Sequence, residues 1–107
     1  MAADRGAAAL AIDGDTLRVS GRLDADSVLA LHRDGCSWLA GSAPASCRVD
    51  LGGVAFSSSA GVALLLDWLR VATGAGKQLQ FANLPKQMDA IIRVSGLETL
   101  FTPAARQ

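Results

Sequence analysis

The stretch VDLGGVAFSSSAGVALLLDWLR, residues 49–70, decides how the chain is read. A short apolar run gives way to Ser57-Ser58-Ser59, and these to a segment that is apolar on nearly every side. A helix needs one N-cap, and one of Ser58 or Ser59 supplies it by accepting a hydrogen bond from an otherwise orphan backbone N–H. The remaining hydroxyls either fill an ordinary loop or stand at a helix N-terminus, where partial positive charge accommodates a phosphate or a partner's carboxylate. At about 100° per residue, Val62, Leu65, Leu66, Leu69 and Thr73 form one stripe, wide enough to cover a sheet. Leu64, Trp68 and Val71 form a second stripe roughly opposite, and only Asp67 and Arg70 break the apolar circumference. Two readings of that second stripe stand side by side. Either neighbouring helices cover it, or Trp68 and its neighbours meet another protein, since contiguous exposed apolar surface marks interfaces.

Working outward, Ala8–Ile12 and Thr16–Arg22 read as strands joined by Asp13-Gly14-Asp15, a hairpin signal. Asp24-Ala25-Asp26-Ser27 is an N-cap cluster with acids where the helix dipole favours them, opening a helix of roughly Ser27–Leu39. Gly41–Ser46 is a loop, and Cys47–Leu51 a strand ended by Gly52-Gly53. The triple serine leads into a helix of about Ser59–Thr73, closed by Gly74-Ala75-Gly76. Leu79–Ala82 is a further strand, and Asn83-Leu84-Pro85 begins a helix near Lys86–Val94. The order ββαβαβα predicts an α/β sandwich: a mixed four-stranded sheet with parallel pairs and helices packed on it. The 107 residues are expected to form one domain.

Composition narrows the function classes. Ten basic residues balance ten acidic ones, so no basic surplus exists to bind nucleic acid, and no nucleic-acid partner is expected. A zero net charge and a mean hydropathy of +0.30 leave little self-repulsion, so a bound partner would help solubility. Val54–Leu66 carries no charge, yet serines interrupt it and it falls short of the roughly 20 apolar residues a bilayer requires, so no membrane insertion is expected. The start MAADRGAAALAIDGD lacks the order of a signal peptide, which leads us to expect a cytoplasmic protein.

Candidates for chemistry are few. Cys36 and Cys47 lie eleven apart with no CxxC and no second ligand pair, so both read as small buried hydrophobes and no metal or other cofactor is expected. The single histidine, His32, sits mid-helix and is expected to be a surface or helix-packing residue. Ser59 is not flanked by the two glycines of a nucleophile elbow. Gly74-Ala75-Gly76-Lys77 resembles half a phosphate loop, but Val71 and Gln78 stand where glycine and Ser or Thr are needed, and the run follows a helix instead of opening one. With no paired carboxylates, metal cluster or activated nucleophile in evidence, catalytic residues are not expected and the chain reads as a non-enzyme.

The strand ending VDL, followed by the pattern F-x-(D/S)-S-(A/S)-G-(V/L)-x-x-L-L at Phe56–Leu66, resembles the STAS domain family. The stretch Asn83–Met88, then Ile91–Leu97 and Leu100-Phe101, is similar to the closing helix and tail of that family, so the resemblance covers about residues 8–102. ALLLDWLR and NLPKQMDAIIRVSG look most like its MlaB branch. That resemblance implies a cytoplasmic subunit without chemistry of its own, held at the inner membrane by its partner. The partner would be the ATPase subunit (MlaF-like) of a phospholipid-transporting ABC complex, and through it the permease. It implies that Ser59 matches the Ser/Thr that anti-sigma-factor antagonists phosphorylate, Gly61 the motif's glycine, and Ser58 a position usually held by Asp. Without that acid a kinase-dependent switch is less expected than docking. The expected contact is Phe56, Ser57, Ser58, Ser59 and Gly61, flanked by Leu64, Trp68 and Arg70. The rival readings are an antagonist phosphorylated on Ser59 and a module binding a small ligand, nucleotide or lipid, beside the serine turn.

Overall fold

The structure, a computed structural model, describes residues 7–101. Residues 1–6 and 102–107, which include the start of the stretch MAADRGAAALAIDGD and the end of the expected domain, lie outside the described residues. Strands β1 (Ala9–Asp13) and β2 (Thr16–Leu23) form an antiparallel hairpin in which Asp13 pairs with Thr16. Gly14 enters that two-residue loop at φ +64°, a conformation glycine adopts without penalty. Helix α1 (Val28–Ala40) leads to β3 (Ser46–Ser57), helix α2 (Ser59–Gly74), β4 (Gln78–Ala82), helix α3 (Lys86–Val94) and a short α4 (Glu98–Phe101). The sheet order is β1-β2-β3-β4, with β2 parallel to β3 and β3 parallel to β4. The mixed sheet and the order ββαβαβα are those the sequence predicts, with α4 added at the end.

Alternation along the strands makes the sheet two-faced. Leu17, Val19, Leu23, Cys47, Val49, Leu51 and Phe81 are buried with α1, α2 and α3, while Arg18, Ser20, Arg22, Arg48 and Gly52 are exposed on the other face. Met88 and Ile92 bring α3 into the same core, and Phe101 of α4 closes it with its ring 5.0 Å from that of Phe81.

One expectation changes here and another is made specific. β3 does not stop at Gly52-Gly53; it continues to Ser57 through two register shifts against β2, each placing one extra residue in β3. A single extra residue would reverse the facing of everything downstream, and the second restores it. Ser57 therefore points inward like Leu51, at 4% exposure. The acidic cluster before α1 does cap the helix, and the cap is Asp24, whose carbonyl accepts from the Val28 N–H at 3.1 Å and whose N–H donates to Ser27 Oγ at 3.0 Å. Asp24 accepts from the backbone N–H groups of Asp26 and Ser27 at 3.1 and 3.0 Å, and Ser27 donates its hydroxyl to the Arg22 carbonyl at 2.8 Å. These bonds fix the turn between β2 and α1, and they hold the Asp24 carboxyl below its ordinary value, the Ser27 N–H first among the causes.

The second stripe of α2 finds its cover inside the domain. Trp68 is fully buried and Leu64 is 3% exposed, packed beneath α1. Gly35 of α1 makes this possible: a Cβ there would meet the Trp68 ring at 2.3 Å. The buried indole N–H donates to the His32 carbonyl at 3.4 Å, so its one polar atom is paired. On the sheet side Ala72 is buried, whereas Thr73, placed in that stripe by the wheel, is exposed.

Candidate functional site

The three serines have three different situations, set by the end of β3 and the first turn of α2. Ser57 is a brace. Its N–H donates to Gln87 Oε1 of α3 at 2.8 Å, and its hydroxyl donates to the Ser58 carbonyl at 2.9 Å. Ser58 is the N-cap, with extended backbone and Oγ accepting from the Ala60 N–H at 3.1 Å, while its own N–H donates to the Leu23 carbonyl at 2.9 Å. Ser59, the first residue of the helix, is exposed. Gly61 is needed for closeness: a Cβ there would sit 2.1 Å from Ser57 Oγ and 3.2 Å from Leu23 Cβ. The motif is thus a rigid strand-to-helix junction that holds one hydroxyl outward at a helix N-terminus.

Beside this junction the first turns of α1 and α2 leave a shallow groove of about 330 Å³. Val28, Leu29, Ala60, Ala63 and Leu64 make it apolar, and His32 and Asp67 close one end. Leu29 is 74% exposed, a large apolar side chain with no cover in the domain. Asp67 takes the His32 imidazole on Oδ2 and the Arg70 guanidinium on Oδ1. These two bonds, His32 first, hold the Asp67 carboxyl below its ordinary value. Cys36, one turn along α1 from His32, has Sγ 3.6 Å from His32 Nε2, and burial pushes its thiol up, with the Asp67 charge adding to the effect.

Of the residues expected to form a contact surface, only Leu64 lines this groove; Ser58 caps the turn that carries the lining residue Ala60, Ser59 precedes Ala60 in the chain, and Arg70 binds the lining residue Asp67. Phe56 is half-buried, with the Arg22 guanidinium 4.1 Å above its ring, so it belongs first to the end of the sheet. Ser57, Gly61 and Trp68 are corrected: all three are buried, Ser57 and Gly61 against each other at the junction and Trp68 by α1, and none offers a side chain to a partner. Leu64 keeps only its place in the groove floor. Leu29, Ala60, Ala63, His32 and Asp67 were missed by sequence reasoning. Leu29, His32 and Cys36 lie at i, i+3 and i+7, off the buried side of α1 formed by Leu31, Gly35, Trp38 and Leu39. An apolar residue off the stripe was the signal available.

Comparison with known proteins follows the same lines. The family described as Mlab, STAS domain, matches residues 7–102. No curated protein sequence matches the chain. Among solved structures, an anti-sigma factor antagonist from Mycobacterium paratuberculosis is similar at TM-score 0.72 and 22% identity, over 88% of this chain and 80% of that one. The Bacillus cell fate determinant SpoIIAA in its phosphorylated form is similar at TM-score 0.67 and 20% identity, over 89% and 88%. A STAS-domain anti-sigma-factor antagonist from Planctomyces limnophilus is similar at TM-score 0.67 and 15% identity, over 90% and 86%. These likenesses establish a shared fold. Among the described residues, no helix is long and apolar enough to cross a membrane.

Proposed function

The chain belongs to the MlaB-like STAS family, and from that premise we propose that it is a non-enzymatic subunit that docks on the cytoplasmic ATPase of a phospholipid-transporting ABC complex and supports its assembly and activity. The observation that carries this reading is the apolar groove between α1 and α2, with Leu29 uncovered at its wall and the exposed Ser59 one residue before its lining residue Ala60. An uncovered leucine beside a rigid, hydrogen-bonding helix start is the form of a protein contact: an apolar centre with a polar rim. Docking would bury Leu29, Ala60 and Ala63, with Ser58, Ser59, Phe56 and Arg70 around them. Because a partner that binds only the folded, assembled state stabilises it by mass action, such a subunit can act without chemistry. Its place in the cell would be the cytoplasmic side of the inner membrane, through that partner, with a role in lipid asymmetry.

A second reading draws on one observation. The exposed hydroxyl of Ser59 stands at the positive end of α2, where a phosphate is tolerated, as in an anti-sigma-factor antagonist switched by phosphorylation. Ser58 performs the capping that an Asp would perform but brings no charge to the surface.

Pull-down of the purified ATPase by Ser59→Ala and Ser59→Glu variants tests the docking reading. Ser59→Glu places a charge on the contact rim and is expected to weaken retention more than Ser59→Ala. Unchanged retention of both variants takes the serine turn out of the interface.

A further inference from the structure

We propose that His32 and Cys36 of α1 and Asp67 of α2 form a three-ligand site for a divalent transition-metal ion of the zinc type, with its fourth position open to solvent. The starting point is convergence: the imidazole nitrogen, the thiol sulfur and a carboxylate oxygen all lie within 4.8 Å of one another. They come from two helices and from residues 31 positions apart at the nearest, so helical spacing alone does not produce the cluster. His32 and Cys36 stand at i and i+4 on one side of α1, and the α1–α2 packing set by Trp68 against Gly35 brings Asp67 to face them.

Hydrogen bonding leaves this cluster underused. His32 Nε2 is directed at both Asp67 Oδ2 and Cys36 Sγ, yet a ring nitrogen has either one proton or one lone pair. Donating to the carboxylate leaves the sulfur as a distant second acceptor at 3.6 Å, and accepting from the thiol leaves the carboxylate facing a lone pair. A metal ion in place of the shared proton engages all three atoms at once. With Zn–N near 2.0 Å, Zn–S near 2.3 Å and tetrahedral angles, nitrogen and sulfur ligands of one zinc stand about 3.5 Å apart. The Nε2–Sγ separation of 3.6 Å already has that value. Only the carboxylate must withdraw to admit the ion, pivoting on its Arg70 contact, and its side chain is 24% exposed.

The donor set is a mixture of soft sulfur, imidazole and carboxylate, which suits zinc and excludes the all-oxygen preference of magnesium or calcium. A neutral imidazole, a thiolate and a carboxylate carry two negative charges between them, matching a divalent ion. Binding forms the Cys36 sulfur–metal bond, breaks the S–H bond and releases that proton to water. The cation that faces the site is Arg70, which holds Asp67 Oδ1 and leaves Oδ2 to the metal. The site ties α1 to α2 at the end of the groove, so its occupancy bears on the rigidity of that surface.

The test is a titration of the tag-free protein, reduced and stripped by chelator, with Co²⁺ followed by absorption, then with Zn²⁺ as competitor. The expected result is one cobalt per chain with a thiolate-to-cobalt charge-transfer band that Zn²⁺ removes. Cys36→Ser should abolish the band and Cys47→Ser retain it, because Cys47 is buried in β3 with its thiol on the Gln78 carbonyl. His32→Ala and Asp67→Asn should weaken binding by about tenfold or more, at least the loss typical of an outer-shell partner. Cys36→Ser and Asp67→Asn are close to isosteric, so circular dichroism should show wild-type folding in both. A wild-type protein that gives no such band, or a band that survives Cys36→Ser, overturns the proposal.

Discussion

Ser57, Ser58 and Ser59 are chemically identical neighbours with three different fates, and the difference lies in backbone geometry. Ser57 faces inward in step with Leu51 because the second extra residue of β3 cancels the first, Ser58 has the extended backbone of an N-cap, and Ser59 is already helical and faces solvent. Substitution should separate them. Ser58→Ala removes the acceptor for the Ala60 N–H and should cost about 1 kcal/mol, seen as a fall in Tm of about 5 °C. Ser59→Ala, at an exposed position, should change stability by no more than about 0.5 kcal/mol. Thermal unfolding of both variants checks the assignment; equal losses would mean that the cap is shared or misplaced. The sequence made a cap within the triple serine evident, since any of these residue types serves. It narrowed the cap to Ser58 or Ser59 but could not choose between them, because where β3 ends depends on its bulges and on Gln87, thirty residues from Ser57.

At the scale of elements, the α1–α2 contact organises the functional face. Trp68 enters α1 at Gly35, its indole N–H is paired with the His32 carbonyl, and the same contact brings His32 against Asp67. Gly35→Ala puts a methyl where the ring lies, and overpacking of this kind costs about 1–3 kcal/mol. In denaturant unfolding the loss should appear in full in the wild-type background and shrink when Trp68→Leu is also present, because the clash is between those two residues. An undiminished loss in the double variant would place the cost in the helix backbone instead. Strands and helices were legible at this scale: the Asp-Gly hairpin, the β-branched runs and the 3.6-residue stripes each have a local physical cause. The fate of Trp68 was not. A wheel shows that α2 has two apolar sides but not what covers the second, and the deciding residue is a glycine on another helix. Glycine in mid-helix, costly without a packing reason, was the available signal. The end of β3 was misread for a related reason, since Gly52-Gly53 signals a turn as readily as it signals a bulge.

Over the described residues the molecule is a sheet with helices on one face, a polar face opposite, and an apolar groove at the start of α1 and α2. Net charge zero, an uncovered Leu29 and a rigid junction ending in Ser59 are what the proposed docking on another protein rests on. The element order and the motif at Phe56–Leu66 carried the family in the sequence; the groove needed the fold, because Leu29 and Ala63 meet only when α1 packs on α2. Affinity purification of the tagged protein from its native membranes in detergent, with mass spectrometry of everything retained and of Ser59 itself, tests the central reading most directly. Recovery of an ATPase and a permease at fixed ratio, with Ser59 unmodified, is the predicted result. A soluble kinase-like partner with phosphate on Ser59, and no transporter, would contradict it.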